Sequence, residues 1–174
     1  MGLRCYLGHG ASGNAASMTP FVDGLRARGV IAPAIDLPKR KAEDALPAFH
    51  EVVPSAGDVV VGGHSYGGRV ASLAAAEPDA PYAALVLFSY PLHAPGRPEG
   101  ATERTAHWPA IRCPVLLLSG ESDPFARIEL LRTGVGLLAE AELVTYPRLG
   151  HTLKPVLDDV LDRVARFLGP LSPA

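Results

Sequence analysis

Residues 58–76 read DVVVGGHSYGGRVASLAAA. An apolar run at 58–62 leads into Gly63-His64-Ser65-Tyr66-Gly67, and a small-residue, helix-like pattern follows at 67–76. G-x-S-x-G between a strand and a helix is the pattern of a nucleophile elbow. In such a turn the serine is strained, and its hydroxyl stands exposed above the strand end. Glycines flank it because a side chain there would strike the neighbouring strand or helix. The bare pattern is of modest specificity. The strand before it, and a helix in which Gly67 and Gly68 permit close approach, give it weight.

Working outward, short apolar runs alternate with helix-like segments along the whole chain. The runs lie at 3–7, 30–35, 58–62, 83–88, 115–118 and 143–146, and the helical segments at 20–28, 42–53, 67–76, 125–139 and 155–168. Most runs are continuous rather than alternating, as in parallel strands buried on both faces. The final helical segment sets Val156, Val160, Val164 and Phe167 on one face and its charges on the other. This alternation predicts a three-layer α/β fold with right-handed crossovers. Residues 89–112, rich in proline and glycine, break the rhythm; a surface excursion with at most a turn or two of helix is expected there. With 174 residues, a single domain spanning 1–174 is expected.

A serine hydroxyl needs a base, and the base needs an orienting carboxylate. On this architecture the chain order is Ser, acid, His, each past a strand end. Asp123 in SGESDPF follows the run at 115–118, and His151 in PRLGHTLKP follows the run at 143–146. Asp123 could instead cap the next helix, and Glu121 is a rival acid in the same loop. Three remote residues nonetheless converge on one rim of one sheet. Asp158 and Asp159 fall on the outer face of the last helix and read as solvated.

The stretch LGHGASGNAAS at 7–17 fits G-x-G-x-x-G through Gly8, Gly10 and Gly13, with acidic Asp36 about 20 residues beyond. In a dinucleotide fingerprint, however, the glycines open the helix itself. Here the helix-start signal is Thr19-Pro20, several residues later. The glycines therefore read as a loop, and no cofactor is expected. That loop follows the first strand and suits an oxyanion hole: the N–H of Ala11, with Ser12 the adjacent alternative, beside the N–H of Tyr66. His9, Ser12, Asn14, His64 and His93 are candidate substrate contacts. His93 could equally make a structural hydrogen bond, and His50 and His107 read as surface or packing residues. No histidine pair has the spacing of a metal site.

Composition excludes other classes. The chain is 48% hydrophobic and 20% charged, with net charge −2 and 6% aromatic residues. Neither a basic footprint nor stacking platforms for nucleic acid are present. No run approaches a membrane span, the N-terminal apolar run is too short for a secretory signal, and Tyr6 stands where a myristoylation signal needs Ser or Thr. Cys5 and Cys113 read as two buried free thiols. A cytoplasmic protein is expected; the oligomeric state is left open.

HGASGN, GGHSYGGRVAS, YPLHAPGRPE, SGESDPF and LGHTLKP, in this order over nearly the whole chain, resemble the α/β-hydrolases. More narrowly, they are similar to the small lidless members near dienelactone hydrolases and the testis-expressed protein type. The resemblance implies a Ser65–His151–Asp123 triad and six parallel strands ordered 2-1-3-4-5-6. Helices would flank both faces, without a cap domain and without the first hairpin strands of the full fold. An open, shallow pocket is then expected. It also implies a serine hydrolase, a carboxylesterase or thioesterase acting on a small ester through an acyl-enzyme. The alternatives are amide or peptide hydrolysis, and a hydrolase-like scaffold that binds without turnover. Two positions depart from the narrower group: His64, where Lys or Arg is commoner, and Tyr66, where Met is.

Overall fold

In the computed structural model, which describes residues 2–171, one sheet of six parallel strands has the order β2-β1-β3-β4-β5-β6. The elements in chain order are β1 (Arg4–Gly8), α1 (Thr19–Arg26), β2 (Ala34–Ile35), α2 (Leu46–Val52), β3 (Val59–His64), α3 (Tyr66–Ala75), β4 (Ala84–Phe88), α4 (Ala101–Thr105), β5 (Val115–Gly120), α5 (Ile128–Gly134), β6 (Ala141–Tyr146) and α6 (Leu157–Leu168). The central strands are apolar throughout because both faces are covered. Val59, Val61, Leu85, Leu87, Val115 and Leu117 pack into one buried cluster with Phe49, Val70 and Leu131 from the helices. The alternate residues Val60, Val86, Phe88, Leu116 and Leu118 pack into a second, with Phe21, Leu25, Val160 and Val164. The three-layer expectation and the strand order hold.

Several local expectations change. β2 keeps only two residues of the run at 30–35. Pro33 lacks a donor, and an isolated bridge pairs Ile31 with Arg4 instead. A proline is tolerable there because β2 lies at the sheet edge. α5 begins at Ile128, not Phe125. The preceding amides are taken by the loop: Phe125 N–H donates to Asp123 Oδ1 at 2.8 Å and Arg127 N–H to His93 Nε2 at 2.9 Å. Cys113 is only half-buried, unlike Cys5, and both thiols are free.

Residues 89–112 are not a surface excursion. The segment holds α4 and two short 3₁₀ turns, but Tyr90, Leu92, Trp108 and Ile111 are buried in the first cluster. The Tyr90 and Trp108 rings meet edge-on at 5.1 Å, and Tyr90 Oη–H donates to Arg104 C=O at 2.6 Å. The segment is therefore anchored core. Among the described residues no helix is long and apolar enough to cross a membrane.

Candidate active site

β3 ends at His64 and α3 starts at Tyr66, so Ser65 alone makes the turn, with φ 51° and ψ −113°. A positive φ at serine is strained by about 1–3 kcal/mol and persists only where the surroundings impose it. Here Ser65 N–H donates to Phe88 C=O and Gly67 N–H to His9 C=O, each at 2.9 Å. The backbone of β1 presses against the turn: a Cβ at Gly63 or at Gly67 would collide with Gly8 main-chain atoms. Between these two held amides, Tyr66 is the first residue of α3, and its N–H lies ahead of the helical ladder.

The loops after β5 and β6 are knitted together: Glu121 N–H donates to Tyr146 C=O and Ser122 N–H to Leu149 C=O, each at 2.9 Å. This brings Asp123 and His151 to Ser65. His151 Nδ1 lies 2.8 Å from Asp123 Oδ2, and His151 Nε2 lies 2.9 Å from Ser65 Oγ. The carboxylate accepts, so Nδ1 carries the proton and Nε2 presents its lone pair to the serine hydroxyl. The Asp123 side chain is fully buried, whereas that of His151 is 24% exposed. Asp123 Oδ1 accepts from Phe125 N–H, so both of its oxygens are occupied. Asp123 thus holds the loop turn and the imidazole together.

The rival acid Glu121 points elsewhere, accepting from Thr145 Oγ1 at 2.7 Å and Arg132 Nη2 at 3.1 Å. A second serine–histidine pair, Ser72 with His107 Nε2 at 2.8 Å, lacks the features of a nucleophile. Ser72 is buried in α3 and donates its hydroxyl to Arg69 C=O at 2.7 Å, so it can only accept from His107. Burial, together with the Arg69 charge, pushes His107 down to about 4.

Of the other residues singled out above, Ala11 lines the same cavity as Ser65 and Tyr66, of about 990 Å³. The supposed substrate contacts are placed differently. Buried His9 donates from Nδ1 to Gly10 C=O at 2.7 Å and accepts Leu37 N–H on Nε2 at 3.0 Å; both nitrogens are used to pin the loop. Asn14 caps the 3₁₀ turn Ala15–Met18 through Ser17, and Ser12 is exposed outside the cavity lining. His93 is buried, donating to Ala94 C=O at 2.8 Å and accepting Arg127 N–H. His64 donates from Nε2 to the main-chain carbonyl of His151 at 3.2 Å. Burial lowers the His64 pKa, and its ring lies 5.2 Å from that of His151. His9, Asn14, His64 and His93 hold loop backbone in place, and neither these four residues nor Ser12 line the cavity. Asp36 accepts Ala15 N–H at 2.7 Å and so holds the start of the 3₁₀ turn.

The cavity is roomier than a shallow cleft, standing at the upper end of the roughly 300–1,000 Å³ usual for ligand sites. Its extra wall comes from Pro91, Ala94, Gly100 and Arg104 of the 89–112 segment. Arg69 and Arg104 on its walls escaped the sequence reading. Arg69 carried a signal, since four residues after Ser65 it shares a helix face with the elbow. Arg104 carried none, because its segment has no period.

A model of the alpha/beta hydrolase domain family matches residues 33–165. Solved structures share the fold. The monoacylglycerol lipase of Paleococcus ferrophilus superposes with TM-score 0.83 at 14% identity, covering 98% of this chain and 97% of that one. Est1E from Butyrivibrio proteoclasticus, solved with ferulic acid, gives 0.79 at 19%, covering 97% and 89%. The thioesterase domain from the curacin biosynthetic pathway gives 0.74 at 16%, covering 96% and 90%. A search of curated proteins finds no significant sequence match.

Proposed function

The chain belongs to the alpha/beta hydrolase domain family, and from that premise we propose that it is a serine hydrolase cleaving a small-molecule ester or thioester. The observation that carries this is one imidazole bonded on one side to Ser65 Oγ at 2.9 Å and on the other to a buried carboxylate at 2.8 Å. His151 Nε2 takes the Ser65 proton as Oγ adds to the acyl carbon. Asp123 holds the tautomer that leaves Nε2 free and stabilises the imidazolium. The N–H groups of Ala11 and Tyr66 receive the developing oxyanion. The imidazolium then protonates the leaving oxygen or sulfur as its bond to the acyl carbon breaks. Water, deprotonated by the same histidine, releases the acid and restores Ser65. No cofactor enters the sequence of steps.

Lipase and thioesterase names among the structural neighbours agree with acyl chemistry. The narrower likeness to lidless dienelactone-hydrolase-type members belongs to the same proposal, as does a cytoplasmic location, with which free Cys5 and Cys113 agree. A fluorophosphonate probe should label wild-type protein at Ser65 and fail to label Ser65→Ala. A folded wild-type sample that takes up no probe would refute the proposal.

A further inference from the structure

We propose that the cavity beside Ser65 receives an oxyanion group of the substrate, a carboxylate or a phosphate, between the guanidinium groups of Arg104 and Arg69. The inference rests on the hydrolase reading for the role of the bound group, and it names the class of substrate. Arg69 stands one helical turn beyond the nucleophile, its N–H donating to Ser65 C=O at 3.0 Å, and its side chain is only 14% exposed. Its Nη2 pairs with Glu43. Arg104 reaches the same cavity from α4 and spends Nη1 on Pro91 C=O at 2.9 Å. Among the described residues no carboxylate comes within the 4.0 Å of an ion pair with Arg104. Burial first, then the Arg69 charge, lowers the Arg104 pKa from its ordinary value.

A guanidinium drawn partly out of water, beside a like charge and without a counter-ion, is a costly arrangement. An entering oxyanion offsets both costs, because each planar fork can donate two parallel N–H bonds to carboxylate or phosphate oxygens. Arg40, Lys41 and Arg97 line the same cavity, but they are exposed and their charge is screened by water. The facing carboxylates do not cancel the Arg104 charge. Glu43 is committed to Arg69, whereas Glu99 and Glu103 are exposed and screened by water.

Two substrate pairs distinguish the sources of the anion. Mono-4-nitrophenyl adipate against 4-nitrophenyl hexanoate places a carboxylate on the acyl chain. Butyryl-coenzyme A against butyryl-N-acetylcysteamine places phosphates on the leaving group. At low ionic strength the charged member of at least one pair should be preferred in kcat/KM by about tenfold, the scale of one charge-assisted hydrogen bond. The preference should collapse in 0.5 M salt (a condition of roughly 4 Å screening length) and in Arg104→Gln, and return in part in Arg104→Lys. No preference in either pair, or a preference indifferent to salt, overturns the inference; the salt arm needs no variant to fold. A readout without turnover separates this from the hydrolase reading: calorimetric titration of Ser65→Ala protein with adipate, inorganic phosphate and neutral hexanamide. Binding of either anion but not hexanamide, lost on adding Arg104→Gln, supports the subsite even if Ser65 proves unreactive. Failure of both anions to bind overturns it even where Ser65 labels normally.

Discussion

Replacing Asp123 with Asn keeps the shape of the side chain and changes one proton. Oδ1 must stay an oxygen, because it accepts the Phe125 N–H at 2.8 Å inside the protein. Turning the amide would set N–H against N–H at a cost of about 1–3 kcal/mol. The Asn NH₂ therefore faces His151 Nδ1, where Asp123 Oδ2 now stands at 2.8 Å. A donor there forces Nδ1 to give up its proton and accept, so the proton moves to Nε2. Nε2 then points an N–H at Ser65 Oγ, 2.9 Å away, and has no lone pair with which to take the serine proton. The same tautomer error in other triads lowers kcat by about ten-thousand-fold, or about 5.4 kcal/mol at 1.36 per decade. The expected result for Asp123→Asn is a fall of that order in kcat on 4-nitrophenyl butyrate, with slowed phosphonate labelling of Ser65 and a thermal midpoint near that of wild type. Asp123→Ala should lose stability as well, since it strands the Phe125 amide. A kcat for Asp123→Asn within tenfold of wild type, in protein that melts normally, would refute the reasoning and return attention to Glu121.

Two further outcomes concern the fold beneath the cavity. Trp108→Ala removes a fully buried indole from the 89–112 segment, and large-to-small changes of this kind cost about 3–5 kcal/mol. Differential scanning calorimetry should show the midpoint drop by about 10 °C, given about 2–4 °C per kcal/mol for chains of this size; a drop under 2 °C would mean the segment is not anchored core. His107 is held at about 4 instead of 6.5. The unfolded chain therefore takes up a proton near pH 6.5 that the folded chain refuses. The stability it contributes is complete above pH 6.5 and is lost as the pH falls toward 4. Urea midpoints should fall from pH 7 to pH 5, and fall less in His107→Gln.

What could be seen in the sequence follows from what burial does to composition. Strands covered on both faces must be apolar at every position, so Val59–Val61 and Leu116–Leu118 stand out without any period. Gly63 and Gly67 mark the elbow because backbone contact with β1 leaves no room for a Cβ. Asp123 and His151 were legible as polar residues just past strands, although nothing in the spacing shows which carboxyl meets the imidazole. The roles of His9 and His93 were not settled by the sequence, which left a structural hydrogen bond as one of two readings for His93. The amides that occupy His9 and His93 belong to Leu37 and Arg127, far away in sequence, and only the folded chain brings them near. Residues 89–112 misled for a related reason. Tyr90, Leu92, Trp108 and Ile111 are buried one at a time from irregular backbone, which produces neither a 2.0 nor a 3.6 period.

The bond from Gly67 N–H to His9 C=O has a wider consequence. It fastens the turn carrying Ser65 to the loop carrying Ala11, while the His9 ring rivets that loop to the end of β2 through Leu37. Nucleophile and donor loop are thus parts of one casting, set when the chain folds. For the proposed chemistry, the two loops that would face the oxyanion are fastened to each other before substrate arrives.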